Sequence, residues 1–369
     1  MKTDPRSIHY TVLDTYRFIG AMGVVAAHFL TSYWGGPDQI HAALQKLGLL
    51  IDFFTILSGV VMAHNYADRM NTPRDYGIFL QRRLARLYPL HLLTALLFAV
   101  MAIGATLCGF MLSYPAQLDF HYLPVNLLLL HAWGTTPTWT FNGPSWTLSA
   151  ELLPYLLLPL FIFAVRRIGP LGLFACMVIY TVTFEAVRRS LGLSHWTEAM
   201  YDFGNLRAVA GFGFGIAIER FLATSKNLPA LPFWPGHLAA ALVTALMLLR
   251  VQNDVIIVAM LAAVTLLAAA DRSGSPSILA SPRLAICRDS AFGIYLWHIP
   301  LSVIIVTLPM RLLHIDPSWK GPLLIVCAVA SIAVAYLSYL VFENPARRRI
   351  SAINLFSSRP RAIGVQLAE

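Results

Sequence analysis

Val12-Leu13-Asp14-Thr15-Tyr16-Arg17-Phe18-Ile19-Gly20-Ala21-Met22-Gly23-Val24-Val25-Ala26-Ala27-His28-Phe29-Leu30-Thr31-Ser32-Tyr33-Trp34 is the stretch on which the reading of this chain turns. It is long and apolar enough to cross a bilayer as one helix. Arg17 and His28 interrupt it eleven residues apart. That spacing is about three helical turns, so both fall on one face, roughly 16 Å from each other. An ionisable group inside a spanning helix costs several kcal/mol unless it is satisfied, so a polar pair placed there reads as a site.

The rest of the chain is built in the same way. Its 369 residues are 57% hydrophobic and only 12% charged, with a mean hydropathy of +0.66. A soluble domain is closer to one quarter charged, so the composition indicates an all-α, polytopic integral membrane protein. The net charge of +9 does not signal nucleic acid, because the basic residues cluster between apolar runs instead of forming a soluble basic face. Cys108, Cys176, Cys287 and Cys327 are isolated, without metal-ligand or redox spacing, and read as small core residues; no metal site is expected. The first apolar run is too long for a cleavable signal and is expected to act as an uncleaved anchor.

Runs of about twenty apolar residues place spans near 12–34, 46–66, 89–112, 145–165, 169–187, 204–222, 236–251, 253–270, 290–313 and 321–342. Ten spans put both termini on one side. Assigning that side to the cytoplasm leaves Lys2, Arg6, Arg69, Arg82, Arg83, Arg86, Arg166, Lys226, Arg272, Arg288, Arg347, Arg359 and Arg361 inside, as the positive-inside rule favours. Gln252-Asn253-Asp254 leaves room only for a tight hairpin or a tilted pair between spans seven and eight. The longest outer connection, Ser113 to Gly143, carries an apolar patch at Leu127–Leu130 and is expected to fold back over the bundle. Residues 1–369 read as one transmembrane domain with no soluble domain and no internal repeat.

Three groups can carry chemistry. His28 is six residues from the outer end of its span and Asp52 is six from Lys46, each about 9 Å deep; Glu151 is seven from Pro144, about 10 Å deep. At a common level a carboxylate can orient and support a histidine base, and the same residues can equally be packed polar contacts between helices. The inside segment Gln81-Arg82-Arg83-Leu84-Ala85-Arg86-Leu87-Tyr88-Pro89 sets Arg82 and Arg86 on one face with Arg83 beside them. Forked guanidinium groups grip polyphosphate, and a basic inside loop also touches anionic membrane lipid. Tyr295 and His298 share a face of span nine, as packing or as site. Ser58-Gly59 permits close helix approach or passage of a ligand arm. Gly-rich nucleotide loops, a nucleophile elbow and paired metal-binding histidines are absent from the sequence.

In order along the chain, Leu13-Asp14-Thr15-Tyr16-Arg17 with His28, Asp52-Phe53-Phe54-Thr55-Ile56-Leu57-Ser58-Gly59, Arg82-Arg83-Leu84-Ala85-Arg86-Leu87-Tyr88-Pro89, Asn142-Gly143-Pro144-Ser145-Trp146-Thr147-Leu148-Ser149-Ala150-Glu151, Gly293-Ile294-Tyr295-Leu296-Trp297-His298-Ile299-Pro300 and Phe342-Glu343-Asn344-Pro345 resemble the motifs of the membrane acyltransferase family 3. The resemblance covers essentially the whole chain. It departs at Val60, where an aromatic often follows Ser-Gly, and at Leu152-Leu153-Pro154, where a polar-aromatic step is usual.

The resemblance implies an O-acyltransferase of the bacterial plasma (inner) membrane. Such an enzyme moves an acyl group, commonly acetyl, from cytoplasmic acyl-CoA to a hydroxyl of an extracytoplasmic sugar, polysaccharide or glycolipid. Acetyl-CoA would be a co-substrate, with no tightly bound cofactor. His28, Asp52 and Glu151 become the catalytic set, and Arg17, Ser58, Arg82, Arg83 and Arg86 the CoA-binding set. Asn142, Trp146, Tyr295 and His298 become the acceptor pocket. His28 would take the acceptor's proton or carry the acyl group itself. With no hydrolase-like domain after the last helix, the acceptor would reach the bundle directly or through polysaccharide-biosynthesis partner proteins. The rival reading is a polytopic transporter of a lipid-linked or small polar substrate, which also displays intramembrane Arg, His and Glu.

Overall fold

The computed structural model describes residues 9–33, 38–109, 115–225, 229–353 and 355–356. Among these, all regular structure is helical. Lys2, Arg6, Trp34 at the end of the first expected span, Ser113, Lys226, Arg359 and Arg361 lie outside the described residues.

The helices are α1 (Thr11–Tyr33), α2 (Asp38–Gln45), α3 (Leu50–Tyr66), α4 (Pro73–Leu107), α5 (Leu123–Leu127), α6 (Trp146–Ser190), α7 (Gly204–Thr224), α8 (Trp234–Leu248), α9 (Asn253–Arg272), α10 (Ala285–Ser302), α11 (Leu308–Leu312), α12 (Lys320–Ser338) and α13 (Asn344–Ala352). α6 is two spans in one continuous run. Gly169, at φ 73° and ψ 174°, breaks it in a conformation open chiefly to glycine. Either half packs on α7 in opposite directions: Trp146 and Phe161 meet Gly204 and Gly213, while Met177 and Tyr180 meet Gly213 and Leu206. With that division, ten helical rods among the described residues overlap the apolar runs.

Among the described residues, six helices are long and apolar enough to cross a membrane by length and composition; α8 is a shorter apolar helix. α1 and α7 fall outside that group and are central. Most of α7 is buried against α3 and both halves of α6, so protein, not lipid, surrounds it. Its glycines allow that approach: a Cβ on Gly59 of α3 would lie 2.1 Å from the Phe212 carbonyl oxygen, and one on Gly215 would lie 2.0 Å from that of Ile56. Gly59 is therefore a close-packing residue, with Ser58 beside it.

The arginine segment differs from the expected loop. Thr72 caps α4, its hydroxyl accepting from the Asp75 N–H at 3.2 Å while Asp75 accepts from the Thr72 N–H at 2.9 Å, with Pro73 in the first turn. This capping box starts the helix well before Pro89, so Arg82, Arg83 and Arg86 project from a continuous helical surface.

The long outer connection folds back as expected. Ser149 Oγ donates to the Leu129 carbonyl at 2.7 Å and accepts from the Ala132 N–H at 2.9 Å, and both loop residues are fully buried. The start of α1 is capped from α9, where the Asp271 carboxylate accepts from the N–H groups of Val12 and Leu13 at 3.2 Å. α13 lies at that same end of the bundle. Gln81 of α4 donates to the carbonyls of Ile350 and Ile353 at 2.7 and 2.6 Å.

Candidate active site

α1 and α10 are joined through an apolar seam of Val25, Phe29, Ile294 and Leu301. Within it, Nδ1 of His28 lies 2.8 Å from Nε2 of His298, with ring centroids 5.1 Å apart. His298 is fully buried and His28 half-buried. Nδ1 of His298 faces the Ile294 carbonyl at 3.3 Å. A carbonyl only accepts, so the network assigns the His298 proton to Nδ1 and makes Nε2 an acceptor. His28 then donates through Nδ1 and keeps a lone pair on Nε2. That is the arrangement of an oriented histidine base, with an imidazole as the orienting acceptor.

Proline chemistry holds the neighbouring wall. Pro300 has no N–H, so the Leu296 carbonyl one turn earlier lacks its helical partner. Asn142 Nδ2 takes that carbonyl at 3.1 Å, and Tyr295 donates to the Pro144 carbonyl at 3.0 Å. The Asn142–Trp146 segment is thereby latched to the helix that carries His298. The Tyr295 ring lies tilted 6.0 Å from His298 and edge-on 6.3 Å from Phe54. A recess opens beside this latch, lined by Trp139, Trp146, Tyr201, His131, Thr138 and Thr140 among others.

The expected grouping of His28 with two carboxylates takes a different form. Both oxygens of Asp52 are held by Arg207 of α7, at 2.9 and 2.6 Å, in a buried bidentate pair under the Trp146 ring. A guanidinium fork that uses both oxygens leaves Asp52 a clamp between α3 and α7. Glu151 accepts from the Tyr155 hydroxyl at 2.9 Å, and that hydroxyl is 3.4 Å from Ser58 Oγ. Among the described residues no hydrogen bond joins His28 to Asp52 or Glu151. The expectation rested on depth along each helix, which says nothing of rotation; Asp52 faces Arg207 of α7.

At the opposite end of α1, Arg17 pairs with Asp14 at 2.7 Å. Arg86 is open to solvent and within electrostatic reach of Arg17, Arg83 and Arg347. Arg82 sits one turn before Arg86 on the same helix. The proposed donor-side residues of α1 and α4 thus meet at one end, and His28, His298, Tyr295, Asn142 and Trp146 gather toward the other.

Sequence reasoning missed Arg207, Tyr155 and Arg347. Arg207 had a signal, being a charge inside the apolar stretch 204–222. Its partner Asp52 is 155 residues away, beyond any local pattern. Glu219 was missed too; it engages Arg272 at 2.8 Å, the Tyr10 hydroxyl and His64, and ties the bases of α1, α3, α7 and α9.

The family model described as an acyltransferase domain, that of acyltransferase family 3, matches residues 10–340. The chain is 32% identical over 178 residues to "Acyltransferase MdmB" of Streptomyces mycarofaciens, a match covering 47% of this chain and 44% of that protein. It is 32% identical over 165 residues to "Protein 2 in picA locus" of Rhizobium radiobacter, covering 39% of this chain and 78% of that protein. The match thus spans less than half of the Streptomyces relative. No solved structure gives a significant match.

Proposed function

The chain belongs to the acyltransferase 3 family, and on that premise we propose that it is a membrane O-acyltransferase that moves a short acyl group, acetyl foremost, from cytoplasmic acyl-CoA to a sugar hydroxyl across a bacterial inner membrane. The observation that carries this reading is the His28–His298 hydrogen bond at 2.8 Å, on the same helix whose other end meets the arginines of α4. The name of the Streptomyces relative supports acyl transfer as the reaction.

In the proposed reaction, Arg82, Arg83 and Arg86 hold the CoA phosphates and the pantetheine arm runs into the bundle past Ser58 and Tyr155. Nε2 of His28 removes the proton of the acceptor hydroxyl as its oxygen attacks the thioester carbonyl. The C–S bond then breaks, and the CoA thiolate leaves with the proton that His28 held. His298 keeps the imidazole in the required tautomer and accepts a stronger hydrogen bond while His28 is charged. Asn142, Trp146 and Tyr295 wall the acceptor side, and Glu151 lies within electrostatic reach of Tyr295.

The test is transfer of label from radioactive acetyl-CoA to envelope polysaccharide and glycolipid in proteoliposomes holding the full-length protein. Label should depend on the protein and be lost in His28→Ala. Substrate movement without any acyl-CoA dependence would replace this reading with a carrier.

A further inference from the structure

The C-terminal helix carries a basic residue to the donor end that the motif-based assignment leaves out. α13 follows a π-helical stretch, Tyr339–Glu343, and docks on α4 through Gln81, whose amide donates to Ile350 and Ile353. The turn before it is locked. Glu343 is buried and accepts from Ser338 at 3.0 Å, and a Cβ on Gly293 of α10 would come within 3.2 Å of its carboxylate. Asn344 accepts from Arg347 at 3.4 Å and aims the guanidinium from the helix start.

Four arginines from three distant segments therefore converge: Arg17 of α1, Arg83 and Arg86 of α4, and Arg347 of α13. Among the described residues, the acidic groups near the cluster include Asp14, which pairs with Arg17, and Asp289 and Glu343, each within electrostatic reach of both Arg86 and Arg347. The fold brings four guanidinium groups from three helices to one end of the bundle, against three nearby carboxylates. Such an arrangement is a receptor for a multiply charged phosphate group.

We infer that Arg347 of the C-terminal helix is a phosphate-binding residue, supplying with Arg17, Arg83 and Arg86 the cluster that grips the phosphates of the CoA donor. The inference rests on the donor reading above and extends the site from α4 to α13. An anionic lipid headgroup offers the same chemistry, so the two sources must be separated.

The experiment measures binding of CoA and of 3′-dephospho-CoA to the full-length protein in nanodiscs of zwitterionic lipid, and again with anionic lipid added. Arg347→Gln should weaken CoA binding about tenfold in both lipids, the loss of one charge-assisted contact. Arg347→Lys should recover part of that, and Arg349→Gln, on the exposed side of α13, should bind as wild type. Equal thermal unfolding of these variants excludes a folding defect. Wild-type affinity in Arg347→Gln beside weakened binding in Arg82→Gln/Arg86→Gln would overturn the inference and leave the donor reading standing. An effect of Arg347→Gln confined to anionic lipid would overturn it in favour of a headgroup site. No CoA binding by the wild type would overturn both.

Discussion

Nδ1 of His28 donates to Nε2 of His298 across 2.8 Å, one hydrogen bond between helices whose residues stand 270 positions apart. It sets the tautomer of the His28 imidazole and turns its Nε2 to the remaining side of the ring. His298→Ala should leave the bundle folded and lower turnover about a hundredfold, because His28 loses both orientation and an acceptor for its charged form. His298→Gln, whose amide oxygen accepts the same proton, should recover part of the loss. Initial rates at saturating acyl-CoA decide it; equal rates in wild type and His298→Ala would remove His298 from the reaction.

The Asp52–Arg207 pair should matter for stability first. Asp52→Ala strands a buried guanidinium and is expected to cost about 3–5 kcal/mol, and Arg207→Leu strands the carboxylate to similar effect. Combining them should cost clearly less than the sum, since no charge is left unpaired. Denaturation of the purified protein in detergent gives the cycle. Additive losses would mean that the pair contributes nothing as a pair.

Glycine tolerance should differ sharply between α3 and α4. Gly59→Ala pushes a methyl group into the Phe212 carbonyl and should separate α3 from α7, seen as lost folded yield in detergent. At Gly104 nothing lies within 4 Å of an added Cβ, so Gly104→Ala should be neutral or stabilise by up to about 1 kcal/mol through helix propensity. Matching yields for the two variants would contradict the close α3–α7 seam.

Tyr155 links Ser58 to Glu151 between the arginine end and the histidine end. Tyr155→Phe removes a donor from a carboxylate at 2.9 Å and should lower kcat/KM for acyl-CoA about tenfold. Ser58→Ala should cost less, because its contact with the same hydroxyl, 3.4 Å, is at the outer limit of a hydrogen bond. Steady-state kinetics of the two variants check the order, and the reverse order would detach Glu151 from the donor path.

Much of this architecture is legible along the chain. Apolar runs of spanning length mark where helices are expected, because a segment in a bilayer must satisfy its own backbone, and ten helical rods among the described residues overlap them. Gly169 marks the break in α6, and Gly143-Pro144 the entry to it. Local spacing also puts Arg17 and His28 on one face and Arg82 and Arg86 on another. The α4 start escaped that reading because a polar capped segment, Thr72–Asp75, begins the helix outside the apolar window.

The sequence by itself determined which residues are costly to place in a membrane and where along the chain the apolar helical runs fall. Only the tertiary structure decided who meets whom. Depth comes from rise along one helix, a local quantity; partnership depends on the rotation and neighbours of each helix, which packing of the whole bundle sets. Asp52, expected beside His28, is held by Arg207, whereas His298, 270 residues on, is the partner of His28.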